Sequence, residues 1–391
     1  MTARDPREEH RASTPLELLF DLTFVVAVAQ AGVQLHHALG AGQVGHALAA
    51  YAIVFFGIWW AWMNFTWFAS AYDTDDVPYR VLTLVQMGGV LVLAVGIPAA
   101  FDHFDFTTMV VGYVIMRLAM VGQWLRAAHD HQEGRACTLR YAAGVTVVQG
   151  CWIGWLWLGG LAGTAGLAML VAAELAVPPW AELSGGFTSW HPGHITERYG
   201  LFTIIVLGEV LAATTAAVAQ AVAAGGPSAR LLVAATGGLV LVFGLWWSYF
   251  KHSTWERRGG SFGMTLVWGY GHYLIFAAVA ALGAGLSVVI DSLGHHASVS
   301  PVFAAYTVAV PVAVFLVVLG LLTLVSRDEP AIAVVVAAAV LVVLAAPAAR
   351  LITLPGAVVA IAVLVSLLLA YHLALARRTT PRAEGPMSSP G

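Results

Sequence analysis

The chain alternates long apolar stretches with short polar ones. Twelve apolar segments are expected to be helical, at about 15–38, 46–70, 79–101, 106–126, 140–160, 164–183, 197–220, 230–251, 263–287, 301–325, 331–347 and 353–376. Most reach the roughly 20 residues that an α-helix needs to cross a bilayer, where an unpaired backbone is too costly to expose. The eleventh is short and ends at Pro347, so its bounds and those of the twelfth are the least sharply marked. The expected fold class is all-α: a polytopic integral membrane bundle of about twelve transmembrane helices. The expected parts are an N-terminal tail at 1–14, a core holding the polar site at 15–287, apolar scaffold helices at 301–376, and a tail at 377–391. The Pro, Ser and Arg content of that last tail predicts disorder.

Composition agrees. Of 391 residues, 60% are hydrophobic and 10% charged, and the mean hydropathy is +0.82. Soluble domains carry about 25% charged residues. A net charge of −3 spread over loops and ends gives no footing for nucleic acid. Cys137 and Cys151 form neither an expected pair nor a metal spacing. Residues 1–14 are polar, so no signal peptide is expected, and the first span serves as its own insertion signal. If the N-terminus is cytoplasmic, fifteen of the 18 Lys and Arg fall on the cytoplasmic side. Arg230 and Arg350 fall outside, and Arg117 lies within a span. That asymmetry predicts a multi-pass protein of a bacterial inner membrane with both termini cytoplasmic.

Polar residues that interrupt the apolar runs are the functional candidates, because they are costly at membrane depth. Glu17 and Asp21 lie four residues apart, on one face of the first helix. Asn64, Arg80, Glu197 and Arg198 fall toward the same side. Arg117, Glu174, Glu209 and His272 fall near the midplane, where neighbours of opposite charge neutralise one another. The Arg117–Glu174 combination reads equally as a packing ion pair and as part of a substrate or proton path. His272, among aromatic residues, reads more readily as a hydrogen-bonded core histidine. In the seventh segment His194 or Thr196 caps the helix start, and Glu197 in the first turn suits the helix dipole. Glu209 follows Arg198 by eleven residues, so the two share a stripe about 16 Å long.

The loop Tyr72-Asp73-Thr74-Asp75-Asp76-Val77-Pro78 precedes a helix that Pro78 and its acids are suited to start. Asp73-Thr74-Asp75-Asp76 also matches the D-x-D-D string of class II terpene cyclases, where the middle Asp protonates an alkene. Three acids suit Mg²⁺ if the substrate is a diphosphate. No resident metal site is assigned, and solvated loops are the better reading of the outer histidines and aspartates. All 14 Trp residues precede residue 269, and Trp59, Trp60, Trp62 and Trp67 crowd the second segment. They read as interfacial anchors or as an aromatic lining. A faint echo of segments one and two in seven and eight suggests two parallel halves.

Three stretches resemble the low temperature requirement A (LtrA) family of bacterial membrane proteins: Leu16-Glu17-Leu18-Leu19-Phe20-Asp21-Leu22-Thr23-Phe24-Val25, Asp73-Thr74-Asp75-Asp76 with Arg80, and Glu197-Arg198-Tyr199-Gly200-Leu201-Phe202-Thr203-Ile204-Ile205-Val206-Leu207-Gly208-Glu209. Leu19 stands where the family usually has Phe. The resemblance covers most of residues 13–376 and is weakest after 290. It implies an inner-membrane, many-helix protein tied by the family name to growth in the cold, and it implies no particular biochemical activity.

Two functions compete. A proton-coupled transporter would use Glu17, Asp21 and Glu209 as proton carriers in a pocket open to the cytoplasm. Arg198 would serve as anion holder or ion-pair partner, and helices one, two, three, seven and nine would line the pocket. On that reading the acid pair is a pocket wall rather than a helix cap. An intramembrane enzyme acting on a lipid or isoprenoid would use Asp75 or Glu209 as general acid. The expected partners are the bilayer and a small-molecule or lipid substrate. The apolar last helices act as scaffold or as an interface for a homo-oligomer.

Overall fold

The computed structural model describes residues 1, 3–6, 8, 11–252, 261–294, 299–326 and 332–379. They form the helices α1 (Pro15–Gly40), α2 (Val44–Tyr72), α3 (Val77–His103), α4 (Thr107–Asp130), α5 (Arg135–Trp155), α6 (Gly160–Gly185), α7 (Pro192–Gly225), α8 (Ala229–His252), α9 (Phe262–Asp291), α10 (Pro301–Ser326), α11 (Ile332–Ala345), α12 (Ala349–Ile352) and α13 (Leu354–Thr379). The chain is a polytopic helical membrane protein, and ten of these helices are long and apolar enough to cross a bilayer. α5 has 21 residues but carries Arg135, Arg140 and Gln149, and it falls outside that set. α11 has only 14 residues. The one-turn α12 follows Pro347 and ends at Thr353, whose φ of 72° breaks the helix before α13. The expected tail from residue 380 onward, and His295 and His296, lie outside the described residues.

Local sequence explains where the key helices begin. Thr14 and Glu17 form a reciprocal capping box at the start of α1. Glu17 is therefore a cap residue, and the expectation that it is not one is corrected. Asp76 caps α3 by accepting from the Tyr79 amide at 2.8 Å, with Pro78 in the first turn. α7 starts five residues before its apolar run, because His191 accepts from the His194 amide and Pro192 occupies the first turn. Glu197 thus lies in the second turn rather than the first, and it instead accepts from the Ser13 amide at 3.2 Å.

Contacts between helix ends define two faces. On the near face, the start of α7 meets the end of α2 through His191 and Ser70, and the start of α3 meets the end of α4 through Asp76 and Arg126. On the far face, His36 of α1 meets Asp291 of α9, and His46 of α2 meets the Phe101 carbonyl of α3. The most extensive helix pairs are α3 with α4 and α9 with α10. Both depend on glycine: a Cβ at Gly112 would collide with the Leu93 nitrogen, and one at Gly285 with the Thr307 carbonyl oxygen. The neighbour order α1–α3–α4–α5–α6 recurs as α7–α9–α10–α11–α13. The halves differ at α2, which packs its aromatic face against α7 and α9 at the centre of the bundle, whereas α8 packs along α13.

Candidate functional site

Charged side chains converge under the near face, where α1, α2 and α7 meet the N-terminal segment. The Arg198 guanidinium donates to Asp21 Oδ1 at 2.5 Å and stands 3.7 Å from Glu17 Oε1. Trp62 Nε1 donates to the same Asp21 oxygen at 2.7 Å. His194 Nε2 lies 3.1 Å from Glu17 Oε1, close but not aligned as a hydrogen bond. The other oxygen of Glu17 accepts from the amide and hydroxyl of Thr14 at 2.8 and 3.0 Å. Glu17, Asp21, His194 and Arg198 are each 0% exposed. They come together because Arg198 follows His194 by one helical turn, and Asp21 follows Glu17 by one.

Arg11 closes this cluster from above. It donates to the Ala69 carbonyl at 2.7 Å and to the Ser70 carbonyl, both in the last turn of α2. A helix C-terminus suits a cation. The same guanidinium stands 3.9 Å from Glu17 and 3.8 Å from Asp73. Further tethers hold the segment down: Arg4 N to the Ala71 carbonyl at 2.9 Å, His191 to the Glu8 carbonyl at 2.9 Å, and Ser13 to Glu197. The pocket expected to be open on this face is therefore covered. The residues of the N-terminal segment, read in the sequence only as a polar tail, form the cover.

Charge does not balance inside. Three carboxylates (Glu17, Asp21, Asp73) face two guanidinium groups (Arg11, Arg198) and one imidazole. Asp21 Oδ2, Tyr79 Oη, His194 Nδ1 and Arg198 Nε are buried without a hydrogen-bond partner among the described residues. Burial, then the neighbouring Glu17, raises Asp73 from 3.8 to about 6, against the pull of Arg11. A raised acid binds its proton more tightly in the folded state. Its contribution to stability is therefore full below pH 3.8 and is lost as pH rises through about 6. Thermal melts across that range are expected to show this slope, and Asp73→Asn is expected to remove it.

The other acids of the loop point elsewhere. Asp75, with φ 49°, is exposed and takes both Arg80 nitrogens at 2.7 and 2.6 Å. That hydrogen-bonded pairing lowers its pKa. Asp76 caps α3 and pairs with Arg126 at 2.7 Å. Partial burial opposes its ionisation, but Arg126 and the Tyr79 amide hold it below the usual value. Asp73, Asp75 and Asp76 thus have three different partners, and no group of three or more His, Cys, Asp or Glu among the described residues is placed to hold a metal.

The midplane residues do not form one cluster. Glu174 accepts from Arg117 at 2.9 Å, Trp60 at 2.7 Å, and Tyr113 and Trp152 at 3.1 Å each. Arg117 also donates to Tyr113 at 2.5 Å. This network ties α2, α4, α5 and α6 together, as a packing ion pair does. Trp60 belongs to it, whereas Trp62, about 200° further round α2, belongs to the acid cluster. His272 is held by the Trp268 carbonyl at 2.7 Å and Tyr249 Oη at 3.1 Å. Nδ1 donates to the carbonyl, and Nε2 faces the tyrosine hydroxyl. Asn64 donates to the Trp60 carbonyl at 2.8 Å and borders an aromatic cavity of about 40 Å³ with Trp67, Tyr141, Glu182 and Tyr270.

Glu209 lies on the stripe of Arg198 but faces a separate cleft, open toward the far face between α1, α7 and α9. Between them Phe202 stacks on Trp62 at 4.3 Å and meets Phe276 at 5.0 Å. Arg11, Tyr79 and Glu182 are not among the residues that the sequence singles out, and Trp62 is read there only as an anchor or aromatic lining, not as a partner of Asp21. Arg11 carried only the signal of a tail charge. Trp62 was one of four tryptophans, and only its 3.6-residue phase relative to Trp60 distinguishes it. Glu182, held by Tyr141 at 3.0 Å and Thr188 at 2.6 Å, sits just past the prolines of α6.

Residues 12–370 match the model of the family described as bacterial low temperature requirement A protein (LtrA). An uncharacterised protein of Rhizobium meliloti (strain 1021) is 30% identical over 224 residues, which cover 53% of this chain and 51% of that protein. The match thus spans about half the length of that relative.

Proposed function

The chain belongs to the bacterial LtrA family of membrane proteins, and on that footing we propose that it is a proton-coupled transporter whose proton site is the Glu17–Asp21–Arg198 cluster with Asp73 and Arg11. The observation that carries this reading is the imbalance of three buried carboxylates against two buried guanidinium groups. A buried cluster of that composition reaches neutrality by taking up one proton, on a carboxylate or on His194. Acids at graded depth on two adjoining helices, Asp21 of α1 near one face and Glu209 of α7 at the midplane, suit proton transfer across a membrane. The repeated neighbour order of the two helix sets suits it too, because many secondary transporters are built from repeats. With the Arg-rich near face toward the cytoplasm of a bacterial inner membrane, the described conformation is closed inward and has its cleft facing outward.

An enzyme acting on an isoprenoid is the weaker reading. Its best support is the aromatic cavity beside Asn64 and Glu182, but about 40 Å³ holds only a few atoms. The transport reading is tested with purified protein in vesicles carrying a pH-reporting dye, an imposed pH gradient and a panel of small organic cations and anions, since coupled proton movement needs its partner solute. The native protein should speed the decay of the gradient relative to empty vesicles, and Asp21→Asn should return it to that baseline. Equal decay with native protein and empty vesicles would refute proton movement, and unchanged decay in Asp21→Asn would remove the cluster from it.

A further inference from the structure

The cleft between α1, α7 and α9 has a volume of about 190 Å³, room for several water molecules or a small solute. It runs from Glu209 at its inner end to Gln220 at its rim, eleven residues or about 16 Å along α7. Small side chains make its walls, among them Ala29, Gly32, Ala213 and Ala280. At the rim His36 and Asp291 pair with each other at 2.7 Å. Glu209, half-buried, has no ion pair or hydrogen bond among the described residues. The cleft therefore has a carboxylate at its inner end without a hydrogen-bond partner among the described residues, approached between methyl and glycine surfaces.

Such a lining favours one kind of guest. Mg²⁺ needs about six oxygen ligands and Ca²⁺ six to eight, whereas Glu209, Gln220, Ser287 and the paired Asp291 are few and spread along the cleft. An ammonium group with a short hydrocarbon body fits better. Its charge meets the carboxylate at the inner end of the cleft, and its carbons cover the alanine and glycine walls. We propose that this cleft is an outward-facing binding site for a small organic ammonium ion, with Glu209 as its counter-charge. The proposal names a substrate class for the transport reading. Binding itself does not require that reading.

The probe is n-propylammonium, compared with n-propanol, which has the same body without the charge, and with Na⁺. Calorimetry on the full-length protein in lipid nanodiscs should show saturable binding of propylammonium and at least tenfold weaker binding of propanol and of Na⁺. Glu209→Gln should weaken propylammonium binding at least tenfold while leaving the melting temperature unchanged, since the native carboxylate has no partner to lose. Lowering the pH should weaken binding as Glu209 takes up a proton. His36, His37 and Asp291 also face the cleft, and the Glu209→Gln background separates their contribution. In vesicles, a cysteine placed by Ala213→Cys should react with an impermeant thiol reagent, and propylammonium should slow that reaction.

Absent binding, equal binding of propanol, comparable binding of Na⁺, or full binding by Glu209→Gln would overturn the proposal. Propylammonium binding without any dissipation of a pH gradient would refute transport and leave the binding site standing. Gradient dissipation without propylammonium binding would do the reverse.

Discussion

Replacing Arg198 with Met is expected to destabilise the protein by about 3–5 kcal/mol, the cost of removing one partner from a buried ion pair. The substitution keeps most of the side-chain volume and removes the charge. It leaves Asp21 Oδ1 with only the Trp62 indole, and Glu17 with Arg11, at 3.9 Å, as its remaining guanidinium neighbour. Both carboxylates are 0% exposed, so neither recovers the lost interaction from water. The measurement is a thermal melt of detergent-solubilised protein followed by tryptophan fluorescence. Adding Glu17→Gln and Asp21→Asn to Arg198→Met should restore much of the stability, because the buried charges that remain, Arg11 and Asp73, are of opposite sign and face each other. It should not restore proton movement. Recovery of both would mean that the cluster serves packing alone.

Phe202→Ala is expected to have the second largest effect, about 3–5 kcal/mol for emptying a buried ring site. The ring stacks on Trp62, meets Phe276 and is itself fully buried. It also lies four residues after Arg198 and seven before Glu209, on the wall that separates the acid cluster from the outer cleft. Its loss should therefore open a leak: an imposed pH gradient should decay faster than with native protein, even in an Asp21→Asn background. Phe202→Leu, which fills most of the space, should retain the seal. A Phe202→Ala protein that folds and shows no added leak would place the barrier elsewhere.

Sequence periodicity located the helices because a bilayer leaves the backbone few other choices. The Glu17–Asp21 face and the Arg198–Glu209 stripe were legible for the same reason, since helix geometry is local. What was not legible depends on contacts between distant segments. Nothing local to Arg11 tells that it folds back onto the end of α2 and covers the acids, so the pocket read as open. Nothing local to the four tryptophans of α2 shows that Trp60 serves Glu174 while Trp62 serves Asp21. Arg198 and Glu209 share a stripe but not a chamber, and the intervening Phe202 acts as a barrier only through partners on α2 and α9. The start of α7 was placed too late because a hydropathy reading overlooks a histidine cap followed by proline.

The account rests on buried carboxylates near Arg198 that gain and lose a proton in the folded membrane protein. Infrared titration of the protein in lipid, reading the band of protonated carboxyl groups in native protein and in Asp21→Asn and Asp73→Asn, tests this most directly. The expected result is a band that changes with pH in native protein, with a component near pH 6 that Asp73→Asn lacks and a second, pH-sensitive component that Asp21→Asn lacks. A band that is constant across that range, or identical in all three proteins, would contradict it.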